Sequence, residues 1–197
     1  MVCLMENPFI SILKEIFDKT IAIVALIILS PLFMVISVLI KLDSPGPVLF
    51  VQERAGLKGK IFNSTKFRTM MHKAAECGLG LNVKDGDERI TSVGRFLRAW
   101  SLDELPQLIN VLKGEMSIVG PRPPIPSEVD KYDLWQRRRL SMKPGMTCLW
   151  QTAHNRNEVR FEDWMNLDLQ YIDNWSLKLD FVILLKTIGV VLSGEGR

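Results

Sequence analysis

The N-terminal part of the chain carries two hydrophobic patterns, one after the other. In the first, apolar residues fall on one face of a helix whose opposite face is charged: Phe9, Ile12, Leu13, Ile16 and Phe17. This spacing predicts an amphipathic helix lying on a surface. In the second, residues 21–40 contain no charged side chain and are long enough to cross a membrane as a helix. We therefore predict that residues 1–42 form a membrane-associated segment.

Ser30 and Pro31 interrupt the apolar run near its middle. Proline removes a backbone donor and kinks a helix, which disfavours a straight transmembrane span. Lysines flank both ends of the run, Lys14 and Lys19 before it and Lys41 after it, so the positive-inside rule indicates no direction. We predict a re-entrant hairpin that enters from the cytoplasmic face, bends at Ser30 and Pro31, and returns to the same face. The alternative is a kinked span with its N-terminus outside.

Residues 43–197 are predicted to form an α+β, helix-dominated domain that lies on the membrane surface. Prolines and a glycine at residues 43–47 end the membrane segment. Residues 48–51 and 61–62 are strand-like and flank a polar, glycine-containing stretch, which predicts a small β-hairpin. Helical patterns cover residues 90–100, 101–113, 161–174 and 177–192, and a further helix starts at Pro126. The last helix is apolar with few charges, so we expect it to be interfacial.

Composition argues against several kinds of function. The net charge is only +3, and the chain has no basic tail or RNA-binding signature, so nucleic acid is not an expected partner. The 3 cysteines, Cys3, Cys77 and Cys148, match neither a disulfide framework nor a zinc motif. They fit a reduced protein that faces the cytoplasm. The 2 histidines, His72 and His154, lack the partners that a metal site needs, so we expect them to be structural or exposed.

The strongest candidate for chemistry is the stretch at residues 101–108. Ser101 and Glu104 have the spacing of a capping box, which predicts a helix start with the acids Asp103 and Glu104 in its first turn. The positive end of a helix favours the charged forms of both acids. Adjacent acids with arginines nearby in the chain suit a site for metal and phosphate. The alternative is a capped surface helix, but Pro106 would strain such a helix.

Basic residues on both sides of this stretch are candidates for binding phosphate. Lys66 and Arg68 alternate with Phe67 in an extended segment, so both charges are expected on one face; a solvated edge strand is the alternative. Arg122 lies between two prolines, so its stiff backbone leaves little to order when the guanidinium grips a phosphate or a base. We interpret the basic run at residues 137–139 as a solvated or lipid-facing surface.

An acid within an aromatic stripe is a further candidate. The helix predicted at residues 161–174 places Trp164, Asp168 and Tyr171 on one face. Burying an unpaired carboxylate is costly. Asp168 is therefore expected either to belong to the site or to be the buried partner of an arginine.

Several short motifs occur in order along the chain. They are DSPGPV at residues 43–48, QER at 52–54, KFRTM at 66–70, SLDELPQ at 101–107, SIVGPRP at 117–123 and KPGMT at 143–147. This set closely resembles the bacterial sugar transferases, which are monotopic polyprenyl-phosphate phosphoglycosyl transferases. The resemblance covers the chain from about residue 17 onward. Longer members of that family carry extra N-terminal membrane helices, so we expect this chain to correspond to the minimal catalytic form.

The resemblance implies an activity and a set of site residues. A sugar phosphate would pass from a UDP-sugar to undecaprenyl (polyprenyl) phosphate, releasing UMP, as the first membrane step of glycoconjugate synthesis. By match to the family motifs, Asp103 would be the nucleophile and Glu104 the Mg²⁺ ligand. The positions implied to bind substrate are Lys66, Arg98, Arg122, Asp168 and Asp180. The resemblance also implies the re-entrant bend at Ser30 and Pro31.

The same resemblance implies a location in the bacterial inner membrane, with the catalytic domain on its cytoplasmic face. The expected partners are a UDP-sugar, undecaprenyl phosphate and membrane lipid; a homodimer is left open. Residues 152–156 depart from the family, whose members often have a serine-glycine pair before an arginine, so the sugar is also left open. The alternative functions are a Mg²⁺-dependent phosphatase and a scaffold that binds anionic lipid.

Overall fold

The computed structural model describes residues 8–74, 86–152 and 160–193 of the 197-residue chain. Most of the loop predicted at residues 78–88, the loop predicted at 154–157 and most of the family departure at 152–156 lie outside these ranges. Within the described ranges helices predominate, and the strands form two small sheets. The expectation of an α+β, helix-dominated fold is therefore confirmed.

The helices and strands follow one another along the chain in a simple order. The first half contains α1 (Pro8–Asp43), β1 (Leu49–Ala55), β2 (Ile61–Phe67), α2 (Ser92–Ala99), a 3-10 segment (Leu102–Gln107) and α3 (Leu108–Leu112). The second half contains β3 (Ser117–Val119), α4 (Pro126–Val129), α5 (Leu134–Arg137), β4 (Gly145–Thr147), α6 (Phe161–Asp173) and α7 (Leu177–Leu192).

Helix α1 runs for 36 residues with Pro31 inside it, so the predicted amphipathic and apolar segments form one helix. Proline has no N–H, so the carbonyl of Ile27, four residues earlier, loses its helical donor. The Ser30 hydroxyl compensates, because its Oγ donates to the Ile27 oxygen at 2.8 Å. Ser30 therefore satisfies the carbonyl that the proline leaves without a donor. The re-entrant bend is not shown and stays a prediction.

One side of α1 packs against the rest of the protein. Ala22 belongs to a core cluster that includes Leu108, and Ile36 belongs to a second cluster that includes Leu97. The opposite side exposes large apolar side chains, among them Ile23, Ile27, Ile28, Met34, Val35 and Val38. An 18-residue window of α1 has a mean hydropathy of 3.0, and only 11% of that window is buried, so by length and composition α1 is able to cross a membrane. A continuous exposed apolar surface marks a site of interaction with a membrane or another protein.

Strands β1 and β2 form the predicted hairpin. They pair antiparallel, from Leu49 opposite Phe67 to Ala55 opposite Ile61. Both strands are longer than the apolar runs indicated, because polar residues continue the ladder on each side of the turn. Gly59 has a φ of +78°, a conformation that suits glycine, and lies in the connecting turn.

Strands β3 and β4 pair in parallel and fix the turn that follows β3. A Cβ atom on Gly120 would lie 2.6 Å from the Lys143 carbonyl oxygen, so only glycine fits where the two backbones approach. The turn is also held beside β1, where the Ala55 N–H donates to the Pro124 carbonyl at 2.9 Å. Residues 120–124 are therefore positioned from two sides.

A buried ionic cluster joins the N-terminal part of α1 to the C-terminal helices. Lys14 Nζ lies 2.8 Å from Asp18 Oδ1 and 2.8 Å from Asp180 Oδ2. The Tyr171 hydroxyl of α6 donates to Asp180 Oδ1 at 2.7 Å. All four residues are buried. Removing Lys14 would leave two buried carboxylates without their counter-charge, so the cluster ties α1, α6 and α7 together.

Candidate active site

The two adjacent acids lie in the 3-10 segment, whose start differs from the prediction. Ser101 is left-handed, with φ of 52° and ψ of 22°, and its side chain makes no capping hydrogen bond. A capping residue needs an extended backbone to aim its oxygen at the first turn, so the predicted capping box is wrong. Successive side chains of a 3-10 helix are about 120° apart, so Asp103 and Glu104 point in different directions. Strained backbone of this kind often accompanies function.

Lys66 on β2 forms an ion pair with Glu104. The two side chains are 22% and 21% exposed, and both line a pocket. Phe67, the next residue, turns into the core. Arg68 does not share the Lys66 face as predicted, because β2 ends at Phe67; it donates instead to the carbonyls of residues 44 and 45 in the turn after α1.

Arg98 approaches the acids from α2. Its Nε donates to the Thr69 hydroxyl at 2.9 Å. The contact between α2 and the backbone that follows β2 depends on Gly94, where a Cβ atom would lie 2.0 Å from the Thr69 carbonyl oxygen. Burial lowers the pKa of Arg98, and the negative charge of Asp103 opposes that shift. Arg98 therefore lies within electrostatic range of Asp103.

The surroundings of Asp103 raise the pKa of its carboxyl group to about 6. Burial is the main cause and the like charge of Glu104 the second, while Lys66 and Arg98 act in the opposite direction. This shift is opposite to the one expected from a helix start. At pH 7, one unit above this pKa, about nine-tenths of the group is still ionised. Asp103 is therefore a partly buried carboxylate with a raised pKa, which suits a nucleophile.

A small open pocket lies between the β1–β2 hairpin and the turn after β3. Its polar lining includes Arg54, Ser64, Lys66, Glu104, Gln107 and Arg122. Among these described residues, three cations face one carboxylate. Such an excess of positive charge suits an anionic ligand, and arginine in particular matches the geometry of phosphate.

Arg122 is held by more than its flanking prolines. Its guanidinium carbon lies 5.5 Å from the centre of the Trp150 ring and 6.0 Å from that of Trp164. Cation–π contacts of this kind fix a guanidinium group over an aromatic face. The charge of Arg122 also acts on the buried Asp168 carboxylate, whose pKa it lowers. The position of Arg122 is therefore set before any ligand binds.

Asp168 and Arg139 form a buried ion pair behind this turn. Arg139 Nε lies 2.8 Å from Asp168 Oδ2, and neither side chain is more than 1% exposed. Burial raises the pKa of Asp168 to about 6, against the opposing charge of Arg139. Arg139 also donates to the Tyr132 hydroxyl at 2.7 Å. The interpretation of residues 137–139 as a solvated surface is therefore wrong for Arg139, because a distant part of the chain supplies its counter-charge.

The structure gathers most of the predicted site residues but not all. Those that surround the acids or line the pocket are Lys66, Arg98, Asp103, Glu104 and Arg122. Asp168 and Asp180 do not line the pocket. Asp168 is the buried ion partner of Arg139, and Asp180 belongs to the buried cluster with Lys14. Their contact with substrate stays a prediction.

Sequence reasoning missed Arg54, Ser64 and Gln107 as pocket residues. Gln52 is paired with Ser64 across the hairpin, and directly paired residues share a face of the sheet. Side chains alternate along a strand, so Arg54 and Lys66 lie on that same face. The alternation of polar residues in both strands was the available signal. This alternation was not recognised because the apolar runs predicted strands shorter than those in the structure.

Known proteins resemble this chain over nearly its whole length. The family described as bacterial sugar transferase matches residues 9–194. Galactosyl transferase CpsE of Streptococcus agalactiae serotype III (strain NEM316) is 43% identical over 196 residues, covering 94% of this chain and 43% of that protein. Exopolysaccharide production protein ExoY of Sinorhizobium fredii is 41% identical over 204 residues, covering 96% and 90%. Undecaprenyl-phosphate galactose phosphotransferase of Salmonella typhimurium is 42% identical over 198 residues, covering 93% and 41%.

These relatives differ in how much of their own length is matched. The chain spans less than half of the streptococcal and Salmonella proteins but 90% of ExoY. In each case the similarity covers more than nine-tenths of this chain. The family match also includes the 3-10 segment with its two acids and every residue named in the pocket. The resemblance seen in the ordered motifs is thereby confirmed, and this chain belongs to the bacterial sugar transferase family.

Proposed function

We propose that this chain transfers a sugar phosphate from a UDP-sugar to undecaprenyl phosphate through a covalent intermediate on Asp103. The observation that supports this most strongly is the position of Asp103 and Glu104 beside a pocket whose other walls carry lysine and arginine. A partly buried carboxylate with a raised pKa is suited to attack phosphorus, and the nearby cations are suited to hold phosphate oxygens.

The names of the relatives agree with these substrates. The Salmonella relative is named for undecaprenyl phosphate and galactose, and a relative from Erwinia amylovora is named UDP-galactose-lipid carrier transferase. A relative from Aeromonas hydrophila is named for N-acetylgalactosamine instead. Because these names differ in the sugar, the proposal specifies a UDP-sugar without choosing its sugar.

The proposed reaction has two displacements at one phosphorus atom. A carboxylate oxygen of Asp103 first attacks the phosphorus that carries the sugar; the bond from that phosphorus to the bridging oxygen breaks, and UMP leaves with the bonding pair. An oxygen of undecaprenyl phosphate then attacks the same phosphorus, and the Asp103 carboxylate is released. The acyl phosphate keeps the phosphorus electrophilic between the two steps. The product is undecaprenyl-diphospho-sugar.

Three basic residues are proposed to bind the phosphates during these steps. Lys66 and Arg122 line the pocket, and Arg98 lies close to Asp103. Phosphoryl transfer spreads negative charge over several oxygens, so fixed cations at those oxygens lower the barrier. Arg122 is the best prepared of the three, because the indoles of Trp150 and Trp164 hold its guanidinium in place.

Glu104 is proposed to hold Mg²⁺. The described residues contain no group of three or more His, Cys, Asp or Glu side chains that could hold a metal ion. One carboxylate at the edge of an anion-binding pocket nevertheless fits Mg²⁺, which commonly binds one or two carboxylates and completes its coordination with water and substrate phosphates. When bound, the ion would supply charge that offsets the repulsion between the carboxylates and the diphosphate.

A covalent relay suits substrates that are in different phases, because they can use the site in turn. We propose that α1 is re-entrant and embeds its exposed apolar side in the cytoplasmic face of the bacterial inner membrane. Residues 43–197 would then lie on that surface. This placement brings a lipid phosphate to the height of Asp103, while the nucleotide sugar arrives from water.

The test is the release of UMP by the purified chain, in detergent with Mg²⁺, from a panel of UDP-sugars. The proposal expects sustained UMP release only when undecaprenyl phosphate is present. Release of inorganic phosphate from a phosphate ester, without sugar transfer, would identify a phosphatase instead. Binding to vesicles of anionic lipid with no UMP release from any donor would indicate a scaffold.

A further inference from the structure

The β1–β2 hairpin presents another cation, Arg54, to the pocket beside Arg122. Arg54 Nη1 donates to the Pro123 carbonyl at 2.9 Å, and Nη2 donates to the Gln52 side chain at 2.5 Å. These bonds engage two of the five guanidinium N–H groups and fix the plane of the group. Arg54 is therefore a preorganised cation that contacts the same turn that carries Arg122.

Arg54 and Arg122 are two positive charges in the same partly buried pocket. Burial, and after it the charge of Arg122, lowers the pKa of Arg54 to about 10, with Glu128 and Glu104 opposing the shift. Arg54 still remains protonated at neutral pH. Two cations held near each other repel, and an anion bound between them would relieve that repulsion.

Ser64 gives an independent indication of a ligand. It lines the same pocket and is only 2% exposed. Its hydroxyl has no hydrogen-bond partner in the part of the chain that the structure describes. Buried hydroxyl groups are normally paired, so an unpaired one at the wall of a pocket indicates a group that binds there. A hydroxyl donor beside two guanidinium groups favours an oxyanion.

We propose that Arg54 and Ser64 form a phosphate subsite for the departing UMP, an assignment that rests on the function proposed above. The positions of the two phosphates are assigned from the order of the side chains along the hairpin. Lys66 and Ser64 are two residues apart on β2, so their backbone positions are about 6.6–6.8 Å apart. Arg54, on β1, lies a further two residues along the same face of the hairpin. The sugar-bearing phosphate lies at the Lys66 end, near Asp103. The leaving phosphate lies at the Arg54 end.

This arrangement assigns Arg54 a role in the reaction as well as in binding. The departing phosphate gains negative charge as its bond to the sugar-bearing phosphorus breaks. A fixed guanidinium at that phosphate interacts more strongly with the transition state than with the bound substrate. Loss of Arg54 is therefore expected to lower the rate of adduct formation at saturating donor as well as the affinity for donor.

The direct test compares the binding of UMP with that of uridine, because only UMP carries the phosphate. Titration calorimetry on the purified full chain should show that Arg54→Gln weakens UMP binding about tenfold or more, as expected for a lost hydrogen bond to a charged group. Uridine binding should not change. Arg160→Gln is the matched control, because Arg160 is exposed and its ion partner is Asp163 on its own helix. This control should bind both ligands like wild type.

Ser64→Ala is the second variant, and it tests the subsite with a change that should leave the fold intact. It removes only an unpaired buried hydroxyl, so UMP binding should weaken several-fold while the melting temperature does not fall. If Arg54→Gln weakens UMP and uridine equally, or if Ser64→Ala lowers the melting temperature, these residues support the fold and the subsite is wrong. Unchanged UMP binding in both variants would also overturn it.

Failure of the subsite can be told apart from failure of the proposed function. The function is tested by UMP release from a UDP-sugar by wild-type protein in the presence of undecaprenyl phosphate. If wild type passes that test and Arg54→Gln binds UMP normally, only the subsite is wrong. If wild type releases no UMP from any donor, the function is wrong, and the assignment of the subsite to UMP falls with it.

Discussion

Asp103 is the residue whose ionisation should set the pH dependence of the reaction. Its pKa is raised to about 6 by burial and by the charge of Glu104, and only the ionised carboxylate can attack phosphorus. The rate of adduct formation should therefore rise about tenfold per pH unit below 6 and level off above 7. Single-turnover rates between pH 5 and 8 test this. A rate that stays constant down to pH 5 would contradict the role of Asp103.

The neighbouring residues Arg138 and Arg139 should differ widely in their effect on stability. Arg139→Ala leaves the buried Asp168 without its counter-charge and should lower the free energy of unfolding by about 3–5 kcal/mol. Arg138→Ala removes an exposed pair with Asp173, which is worth about 0–1 kcal/mol. Thermal unfolding of both variants in one detergent gives the comparison. Equal effects would mean that the buried pair contributes little to stability.

At the scale of residues, the sequence indicated site members that carry a local signal. Asp103 and Glu104 are adjacent, and Arg122 is marked by the prolines on either side. Arg139 gave no such signal, because its counter-charge comes from a distant stretch of the chain. For Arg54 the signal was the alternation of polar residues in the hairpin, which short apolar runs obscured. The direction of the Asp103 pKa shift was missed for a related reason, since burial is a property of the folded chain.

At the scale of elements, α1 carries the prediction that concerns the membrane. In wild type, reporters placed at both termini should label from the cytoplasmic side. Pro31→Ala restores an N–H donor for the Ile27 carbonyl, which Ser30 now serves, and should straighten the helix towards a full span. A fraction of Pro31→Ala chains should then expose the N-terminus to the periplasm.

Ser30→Ala is the control for this experiment, because it removes the hydroxyl but keeps the proline that disfavours a straight span. Its topology should match that of wild type. Labelling of the wild-type N-terminus from the periplasm would contradict the re-entrant arrangement and support a kinked span.

Periodicity predicted the longer elements, but it missed strand β4 and the 3-10 character of residues 102–107. The β1–β2 hairpin, α2, α6 and α7 all follow from apolar spacing along the chain. Strand β4 was not predicted, because three residues are too few to show alternation and their pairing with β3 joins distant segments. The 3-10 segment was predicted as an α-helix, since the left-handed backbone of Ser101 leaves no mark in the sequence.

At the scale of the whole molecule, α1 is part of the core. Ala22 and Ile36 of α1 belong to the two core clusters, and Lys14 is paired with Asp180 of α7. The apolar pattern indicated a membrane-associated helix but not the side that packs, because its sides are apolar nearly all round. The division into residues 1–42 and 43–197 stays a prediction. Because α1 packs directly on the domain, its depth in the bilayer would set the height of Asp103.

The covalent relay on Asp103 depends on the whole arrangement, and two variants separate its acids. Asp103→Asn keeps the shape of the side chain but removes the proposed nucleophile, so it should lose both turnover and any adduct. Glu104→Gln should mainly weaken the use of Mg²⁺, with activity lower by orders of magnitude but not abolished. If both variants lose all turnover, kinetics do not separate the roles of the two acids, so the adduct itself is the decisive observable.

Intact-protein mass spectrometry after incubation with a UDP-sugar and no acceptor measures that adduct. The account predicts a mass gain of one sugar phosphate on the wild-type chain, mapped to Asp103 and discharged when undecaprenyl phosphate is added. Asp103→Asn should show no gain. If wild type turns over without any adduct and Asp103→Asn keeps a near wild-type rate, the relay is contradicted and a direct displacement between the two substrates takes its place.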